Sequence, residues 1–585
     1  MSDNAAKDIA SKWLKDFGSF LWNADVEGLA SSFCPDGWLR DILVFTWNNR
    51  SLCGPEKIVQ YIKDSGLKPE TFSQFELDDR LYFSAEAGPL TPTTTGVSFG
   101  FKFETPIAHG RGYARILQDA QSNEWKALTV FVAVENLIGH EEVGPELGIY
   151  GGHTLAWGDV KEERRKRTEA NPYVLIVGGG QSGLNVAARF AQMNISALIL
   201  ERNSRVGDNW RKRYPTLSLH TPKSQHPMLY QPFPEQWPIF TPRDKIANWL
   251  EQYAVSQDLV VWNNSYPLPT PSYDYSTKTW TVAVNHDGEH VTLHPKHIVL
   301  ATGTLGRPNI PRISNLEQFK GPATHSCGYN GADALLSRAN GKRVVVIGAA
   351  NTSADICQDL CYHGAEVTMI QRSTTCVVSA NNTRKNLEMR WPPGVPTDVS
   401  DFKFASMPMS LIRKILVSQK DNLAALERDL QEGLRKAGMD INMGPEGSGN
   451  YLLVFERLGG YWLDVGCADL ISSGKIKVKQ GVEAVSVTED TVTFSDGSTL
   501  PADALVFATG YENIRDTMRE IFGDETMDKT SLVWGLDEEG ELRGSYRPTG
   551  HPGLWFASGD FYNSRFSSKQ LALEIKAIEL GLMQV

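Results

Sequence analysis

A strand–glycine loop–helix unit occurs twice in this chain, and this duplication constrains the fold more than any other feature. The first copy runs from apolar residues 173–177 through Gly178, Gly180 and Gly183, spaced as G-x-G-x-x-G, into a predicted helix. Adding 170 to each residue number superposes it without a gap on a second copy that starts at 344–347. The alternation of strands and helices predicts parallel sheets, and the repeat indicates two domains of one type. The predicted fold class is α/β with two Rossmann-type dinucleotide-binding domains.

The first loop has the composition that a bound pyrophosphate requires. Gly178 permits the tight turn, Gly180 lets the pyrophosphate approach the backbone, and Gly183 lets the helix pack closely on the strand. Free N–H groups at the start of the helix favour the anion. Glu201 ends the next strand 23 positions after Gly178 and can accept hydrogen bonds from ribose hydroxyls. The predicted cofactor-binding residues of this copy are Gly178, Gly180, Gln181, Ser182, Gly183, Glu201 and Arg202.

The second copy keeps the spacing of the first but lacks the negative charge at the end of its second strand. Gln371 stands where the first copy has its carboxylate, and Arg372 and Ser373 follow it. A carboxylate there repels a 2′-phosphate, whereas a neutral residue followed by arginine and serine can receive one, which predicts NADPH rather than NADH. Ala350 and Ser353 replace two glycines, and their side chains narrow the space through which a phosphate approaches the backbone. The alternative to an NADPH site is therefore a unit that no longer binds a dinucleotide. The predicted residues are Gly348, Asn351, Thr352, Ser353, Arg372 and Ser373.

Charge and cysteine content exclude several classes of protein. The net charge of −11 disfavours a nucleic-acid binder and an anionic membrane surface. Hydrophobic runs are too short for a signal-peptide core or a membrane span, so we expect a soluble, cytoplasmic protein. The seven cysteines form no C-x-x-C pair, which argues against a disulfide framework and against a four-ligand zinc site. We expect no metal site.

The N-terminal part has a different pattern, which predicts an α+β domain ahead of the duplicated units. A helical stretch over 6–33, a short strand over 41–47 and a helix starting near Pro55 are expected first. Strand-like runs follow at 74–83, 96–104, 110–117 and 125–135. The charge-dense stretch 159–167 is predicted to be a solvated linker or helix. The predicted domains are 1–155 (α+β), 156–171 (linker), 172–320 (first dinucleotide domain), 321–499 (second, with an insert at 374–470) and 500–585 (return to the first).

A segment between the two copies resembles the fingerprint of class B flavin-containing monooxygenases. Residues 319–329 fit F-x-G-x-x-x-H-x-x-x-(Y/F), with His325 at its centre, and lie just upstream of the second loop. The A-T-G stretches at 301–303 and 508–510 are similar to that family's crossings between its FAD and NADPH domains. The resemblance covers roughly 170–585. It adds Gly207, Trp210, Thr302, Gly303, Thr509, Gly510 and Asp560 to the predicted cofactor-binding residues.

Within that family the chain looks closest to the YUCCA-like subgroup. Residues 217–223, with His220, and the Pro-Phe-Pro at 232–234 carry this similarity. Microsomal-type members place an Asn where His220 falls, and Baeyer–Villiger members tend to place an Asp. Tyr329 also departs from the Trp that is usual in the Baeyer–Villiger fingerprint. The resemblance therefore does not imply amine or sulfide oxygenation of the mammalian kind.

The resemblance implies a mechanism. NADPH reduces FAD, and the reduced flavin captures O2 as a C4a-(hydro)peroxide that oxygenates a small organic substrate. A deprotonated peroxide attacks a carbonyl or 2-oxo acid, and a protonated one passes oxygen to nitrogen or sulfur. The implied catalytic residues are His220, as an imidazole whose charge changes near neutral pH, and His325 of the fingerprint. The long insert at 374–470 is expected to select the substrate, and plain peripheral packing is the alternative.

The N-terminal domain resembles the cone-shaped fold of SnoaL-like and nuclear transport factor 2-like domains. Residues 36–41, which open a predicted strand, carry this similarity. Such cones can hold small ligands, with Asp41 as a candidate base. The alternative is a dimerisation or lid domain without chemistry, and a homodimer is a further expectation.

Three other classes compete with the monooxygenase. A disulfide reductase shares the duplicated layout but needs a cysteine pair after the first unit, and no cysteine lies between Cys53 and Cys327. An uncoupled NADPH oxidase that releases hydrogen peroxide stays open, because motifs do not report coupling. A non-enzymatic NADP-sensing module also stays open because of Ala350 and Ser353.

Overall fold

The computed structural model describes residues 3–584, and its N-terminal part is a mixed sheet with helices on one face. The sheet has the order β2-β1-β7-β6-β5-β3, with β4 paired to β5, and only the β1–β7 pair is parallel. The elements are α1 (Asp3–Trp22), α2 (Val26–Ser31), β1 (Phe33–Ile42), β2 (Asn49–Cys53), α3 (Pro55–Asp64), β3 (Ser73–Leu77), β4 (Glu86–Thr91), β5 (Thr94–Glu104), β6 (Ala108–Gln118) and β7 (Trp125–Leu137).

The start of this domain differs from the sequence prediction. The stretch 6–33 forms two helices, and the strand expected over 41–47 is β1, which ends at Ile42. The reason is Asp41, whose carboxylate accepts hydrogen bonds from the N–H groups of Val44 and Phe45 at 2.9 and 3.1 Å and so folds a turn where the strand was expected. The predicted helix start at Pro55 is confirmed.

Aromatic side chains fill the space between α1 and the sheet. Along β5, Phe99, Phe101 and Phe103 are buried while Lys102 is exposed, so the predicted one-sided alternation is confirmed. Phe17 on α1 lies edge-on to Phe101, with ring centroids 6.4 Å apart. Each fully buried phenylalanine contributes about 1.5–3 kcal/mol to stability, so this face serves as a packed core.

The first dinucleotide unit follows a solvated helix. This unit contains a short 3-10 turn at Lys223–Gln225. The elements are α4 (Trp157–Ala170), β8 (Val174–Val177), α5 (Gln181–Gln192), β9 (Ala197–Leu200), α6 (Asp208–Arg211), α7 (Arg243–Ser256), β10 (Val261–Trp262), β11 (Ser265–Pro267), β12 (Ser272–Asp274), β13 (Thr279–His286), β14 (Glu289–Leu293), β15 (His297–Leu300) and β16 (Leu305–Pro308).

The second unit contains the helical insert, and the chain then returns to the first unit. Its 3-10 turns lie at Leu316–Gln318, Ser326–Gly328 and Pro445–Gly447. The elements are β17 (Ala323–His325), α8 (Ala332–Leu335), β18 (Arg343–Ile347), α9 (Asn351–Tyr362), β19 (Glu366–Gln371), β20 (Thr375–Ser379), α10 (Ala380–Arg390), α11 (Thr397–Ala405), α12 (Met409–Ser418), α13 (Lys420–Leu426), α14 (Arg428–Lys436), β21 (Ile441–Asn442), α15 (Tyr451–Arg457), β22 (Tyr461–Asp464), α16 (Cys467–Ser472), β23 (Ile476–Gln480), β24 (Ala484–Val487), β25 (Thr491–Phe494), β26 (Thr499–Pro501), β27 (Ala504–Phe507), β28 (Tyr511–Asn513), α17 (Ile514–Thr517), α18 (Arg519–Asp528), β29 (Leu554–Phe556) and α19 (Phe561–Glu579).

The two units contain equivalent parallel sheets. The first has the order β10-β9-β8-β15-β29 and the second the order β23-β19-β18-β27-β17. Helices α5 and α9, which follow the two glycine loops, differ by 170 in residue number at both ends. The predicted α/β class with duplicated Rossmann-type sheets is confirmed.

The N-terminal domain is held to the dinucleotide units by buried and half-buried ion pairs. Arg40 on β1 donates to both carboxylate oxygens of Glu541, at 2.7 and 2.8 Å, and Arg50 does the same with Glu539, at 2.8 and 2.6 Å. Such bidentate pairs fix orientation as well as contributing energy. The N-terminal domain is therefore docked in a defined orientation on the loop that precedes β29. Among the described residues, no helix is long and apolar enough to cross a membrane.

A buried carboxyl group on α19 predicts an unusual pH dependence of stability. Glu574 is fully buried, and neither carboxyl oxygen has a hydrogen-bond partner among the described residues. Burial raises its pKa well above 4.5. The folded state therefore keeps a proton that the unfolded state releases, and stability falls as the pH rises above about 4.3, by up to about 1.4 kcal/mol per pH unit.

We expect Glu574→Gln to remove this loss. At pH 8 the free energy of unfolding of this variant, measured by urea denaturation, should exceed that of the unmodified protein. The difference should shrink as the pH approaches 4.5. The exposed Glu124→Gln is the control and should show no such difference. A constant difference at every pH would contradict the assignment.

Candidate functional site

Two of the three glycines in the first loop are required by the fold itself. Gly178 has a φ of +112°, and a Cβ built on it would lie 2.4 Å from the carbonyl oxygen of Ala301. A Cβ on Gly183 would lie 2.0 Å from the carbonyl oxygen of Gly178. By contrast, the nearest atom to a Cβ on Gly180 is Nδ2 of Asn209, at 3.5 Å. The middle glycine therefore faces open space in which a phosphate can approach the backbone.

The start of α5 is free to bind an anion. The helix begins at Gln181, and the preceding Gly180 offers no side chain to cap its N–H groups. Glu201 is buried at the end of β9, where Oε2 accepts from the N–H of Gly179 at 2.9 Å and Oε1 accepts from the N–H of Asn203 at 2.8 Å. The carboxylate thus fixes the glycine loop to the end of β9.

The second loop repeats this geometry, with a serine in place of the third glycine. Gly348 has a φ of +127°, and a Cβ there would lie 2.2 Å from the carbonyl oxygen of Ala508. Ser353 occupies the position of the third glycine, and its hydroxyl donates to the carbonyl of Gly348 at 2.5 Å. Serine therefore replaces a close contact with a hydrogen bond. Helix α9 begins at Asn351, and Ala350 likewise leaves its first N–H groups without a side-chain cap.

The strand end beside the second loop presents an exposed cation. Gln371 is buried and turned into the protein, because its amide exchanges hydrogen bonds of 2.8 Å with the backbone of Asp440. Arg372 is 74% exposed, and its Nη1 lies 3.3 Å from Glu483. Of the polar residues expected at this strand end, Arg372 and Ser373 are the two that face outward.

A cavity of about 730 Å³, here called the cleft, lies between the two loop helices. Gln181 lines it from α5, and Asn351 and Thr352 line it from α9. Trp210, His220 and Asp560 of the predicted site also line the cleft, as does Pro92 from the N-terminal domain. The predicted residues outside its lining are Gly178, Gly180, Ser182, Gly183, Glu201, Arg202, Gly207, Thr302, Gly303, His325, Gly348, Ser353, Arg372, Ser373, Thr509 and Gly510.

The lining of the cleft fits a polar cofactor. Nε1 of Trp210, Oε1 of Gln225 and Nδ1 of His226 are buried there, and none has a hydrogen-bond partner among the described residues. Buried polar atoms in native proteins are nearly always hydrogen-bonded, so these atoms indicate a polar ligand or ordered water. Together with the two uncapped helix ends, they fit the predicted FAD and NADPH. Among the described residues, no cluster of His, Cys, Asp or Glu could hold a metal ion.

His220 joins the two dinucleotide units at the cleft. Its Nε2 lies 3.3 Å from Oδ2 of Asp355, one turn along α9 from Asn351. Tyr214 donates to the same carboxylate oxygen at 2.5 Å. Burial alone lowers the pKa of His220, but the hydrogen bond and charge of Asp355, with a hydrogen bond to Asn351, outweigh burial and raise the pKa. The imidazole can therefore hold a proton beside the cleft.

His325 lies at the crossing between the two units rather than in the cleft. Its Nδ1 accepts from the N–H of Cys327 at 3.2 Å, so Nε2 carries the proton and donates to the carbonyl oxygen of Gly510 at 3.1 Å. Burial lowers the pKa of this histidine. The neutral ring thus links β17 to the A-T-G loop after β27 and has the contacts of a positioning residue.

The remaining predicted residues shape the loops around the cleft. Gly207, Gly303 and Gly510 all have positive φ, and a Cβ on Gly207 would lie 2.3 Å from the carbonyl oxygen of Ala247. The side chain of Thr302 contacts the sulfur of Met518, and that of Thr509 donates to the carbonyl of Asn309. Asp560 caps α19 through the N–H of Asn563 at 2.9 Å.

Sequence reasoning missed several polar residues of the cleft. Gln225 and His226 lie within six residues of His220. This short distance along the chain could have indicated that they lie near the same site. Asp355 lies four residues after Asn351 and shares its helix face, which the helical period predicts. Arg390 and Tyr451, from the insert, line the cleft with the guanidinium carbon 5.0 Å from the ring centroid. These two are far apart in sequence and carry no local signal.

Comparisons with known proteins agree with this geometry. Residues 171–529 match the family model described as flavin-binding monooxygenase-like. The chain is 30% identical over 364 residues to indole-3-pyruvate monooxygenase YUCCA1 of Oryza sativa subsp. japonica, covering 61% of this chain and 80% of that one. It is 29% identical over 383 residues to probable indole-3-pyruvate monooxygenase YUCCA4 of Arabidopsis thaliana, covering 63% and 83%.

Among solved structures, a flavin-containing monooxygenase from Stenotrophomonas maltophilia matches with a TM-score of 0.46 and 18% identity, covering 70% of this chain and 98% of that one. The residues that match the family model include both glycine loops. The chain belongs to the flavin-binding monooxygenase-like family and is a flavin-dependent monooxygenase.

Proposed function

We propose that this enzyme transfers oxygen to the carbonyl carbon of a small substrate, a 2-oxo acid or a ketone, rather than to nitrogen or sulfur. The observation that carries this proposal is the His220–Asp355 pair at the cleft, with 3.3 Å between Nε2 and Oδ2. A protonated imidazole stabilises an anionic oxygen beside it, and the anionic form is the one that attacks carbonyl carbon. The named substrate of the relatives, indole-3-pyruvate, is itself a 2-oxo acid.

The two loops support an assignment of the cofactor positions. We assign the FAD pyrophosphate to the start of α5 beside Gly180, and that of NADPH to the start of α9 beside Ala350. Arg372 and Ser373 would receive the 2′-phosphate. FAD bound here would supply the redox chemistry that links NADPH oxidation to oxygen transfer, while the protein orients the reactants and holds the proton.

Product analysis tests the proposed substrate class. The purified enzyme is supplied with NADPH, labelled oxygen and a panel of 2-oxo acids, ketones, amines and thioethers. We expect the label in the product of a carbonyl substrate, with NADPH consumption that depends on that substrate and little hydrogen peroxide. Labelled amine or thioether products without carbonyl products would contradict the proposal, and peroxide equal to the NADPH consumed would indicate an oxidase.

A pH profile tests the role of His220. If the protonated imidazole supports the reaction, activity is fully present below its pKa and is lost as the pH rises through it. Asp355→Asn removes the group that raises this pKa, so the loss should begin at a lower pH. His220→Ala should lower kcat by about a hundredfold. The exposed His290→Ala is the control. An unchanged profile in Asp355→Asn would contradict the role.

The N-terminal domain is proposed to be a SnoaL-like or nuclear transport factor 2-like lid without chemistry of its own. Its seven-stranded sheet supports the fold, and its packed aromatic core favours a lid over a second ligand cone. The β4–β5 turn brings Pro92 to the cleft, and Arg115 donates to Oγ of Ser406 in the insert at 2.9 Å. Substrate binding should therefore slow hydrogen exchange of the 91–94 backbone, and unchanged exchange would contradict a lid.

Two further predictions need measurements on cells and in solution. We propose a cytoplasmic location, which cell fractionation tests. We also propose a homodimer, which sedimentation equilibrium of the purified holoenzyme tests.

A further inference from the structure

A second large cavity lies where the N-terminal domain meets the first dinucleotide unit. It has a volume of about 890 Å³ and is here called the junction cavity. Ile42 and Val134 line it from the N-terminal sheet, and Met228, Leu229, Phe402 and Leu573 line it from the rest of the chain. All six are buried, so the cavity has an apolar wall of the kind that holds the body of a small ligand.

Around Glu142 the polar part of the wall has one more positive charge than negative charge. Glu142 accepts a hydrogen bond from Nζ of Lys569 at 2.6 Å and also pairs with Arg189, so one carboxylate serves two cations. Burial lowers the pKa of Lys569 in spite of Glu142, and the nearby charge of Arg189 lowers it further.

Over the whole lining four cations face five carboxylates, so the positive excess is local to the surroundings of Glu142. Arg565 is matched by Asp401 at 2.8 Å, and Arg111 by Glu135 at 3.2 Å. The remaining acids of the lining, Glu141 and Asp398, are exposed at the rim.

Two donors in this wall lack acceptors. Nε of Arg111 and Nε of Arg189 are buried and have no hydrogen-bond partner among the described residues. The guanidinium carbon of Arg111 lies 4.3 Å from the ring centroid of Phe402 and 4.8 Å from that of Phe83, so it is held between two aromatic rings. Fixed, desolvated donors of this kind are suited to a carboxylate oxygen.

We propose that the junction cavity is a second small-molecule site, which binds an apolar monocarboxylate. The carboxylate lies toward Lys569 and Arg189, where one positive charge is unbalanced, and the apolar body lies against Met228, Phe402 and Leu573. This site is independent of the proposed oxygen transfer, because none of these residues lines the cleft.

A thin wall separates the junction cavity from the cleft. Gln225 and His226 line the cleft, and the next residues, Pro227 and Met228, line the junction cavity. Arg565 donates to the carbonyl oxygens of Gln225 and Pro227, both at 2.8 Å. Because the proposed 2-oxo acid substrates are also carboxylates, a test has to separate the two cavities.

Calorimetric titration of the FAD-loaded protein, saturated with NADP, provides this test. The probes are 6-phenylhexanoate and its neutral amide. We expect one equivalent of the acid to bind outside the cleft, and the amide to bind at least about tenfold more weakly, because a charge-assisted hydrogen bond contributes about 1.5–3 kcal/mol. Equal affinity for acid and amide would overturn the proposal.

Variants locate the binding. Ala133→Trp fills the junction cavity from β7 and should abolish this binding, while Lys569→Gln should weaken it about tenfold. Leu573→Phe, a smaller change in the same wall, replaces Ala133→Trp if the latter loses its FAD or its circular dichroism spectrum. Asn386→Trp, which fills the cleft instead, should leave the binding intact. Loss in Asn386→Trp together with retention in the junction variants would place the carboxylate in the cleft and overturn the proposal.

Discussion

Gly180→Ala is expected to yield a folded protein that purifies without bound FAD. A Cβ at this position meets nothing closer than 3.5 Å in the protein itself, so folding tolerates it. The same methyl group would occupy the space through which the pyrophosphate approaches the start of α5. Overpacking of this kind costs about 1–3 kcal/mol, which raises the dissociation constant for FAD about ten- to a hundredfold. The measurements are the flavin absorbance per polypeptide and a titration of the apoprotein with FAD.

The neighbouring glycine and the second loop provide matched controls. Gly183→Ala places a Cβ 2.0 Å from a backbone carbonyl, so it should lower thermal stability with or without FAD. Ala350→Gly makes the second loop like the first and should lower the KM for NADPH while leaving FAD content unchanged. If Gly180→Ala retains full FAD, the first loop does not hold the pyrophosphate.

The duplicated core could be predicted from the sequence because its determinants are local. A buried strand, a turn with positive φ and a helix start lie within about a dozen residues of each other, and each leaves a residue-type signal. Gly178 and Gly348 are the clearest cases, since both have φ above +110° and both approach a carbonyl oxygen of the A-T-G crossing. The constant offset of 170 follows from two loops and helices of equal length.

Of the parts that differ from prediction, the end of β1 is decided by a local contact and the others by contacts between distant segments. The end of β1 is decided by the carboxylate of Asp41, which folds the following turn. Gln371 turns away from the strand end because the backbone of Asp440, 69 residues later, satisfies its amide. The apolar wall of the cleft comes from the insert, whose helices have no fixed spacing from the glycine loops. Patterns in one sequence do not report such contacts.

The docking of the N-terminal domain also lies beyond local patterns. Arg40 and Glu541 are 501 residues apart, yet they form a buried bidentate pair. The same interface produces the junction cavity, which neither domain encloses alone. The N-terminal domain therefore completes a cavity on the dinucleotide units without contributing to either glycine loop.

Arg372→Ala is expected to reduce the preference for NADPH over NADH. The side chain is 74% exposed, so its removal should leave the fold unchanged, and it is the cation that follows the strand end of the second unit. An arginine–phosphate contact is charge-assisted and contributes about 1.5–3 kcal/mol, so the KM for NADPH should rise about ten- to a hundredfold. The KM for NADH should not change, since NADH has no 2′-phosphate.

Glu483→Gln is the matched control for this prediction. It removes the carboxylate 3.3 Å from Arg372 and leaves the guanidinium in place, so the KM for NADPH should stay the same or fall. The measurement is the initial rate of cofactor oxidation with each nucleotide, at a fixed FAD content. Equal effects of Arg372→Ala on NADPH and NADH would mean that the arginine acts on the fold or on another part of the nucleotide. In that case the residues at the strand end of the second unit would not determine the preference for NADPH over NADH.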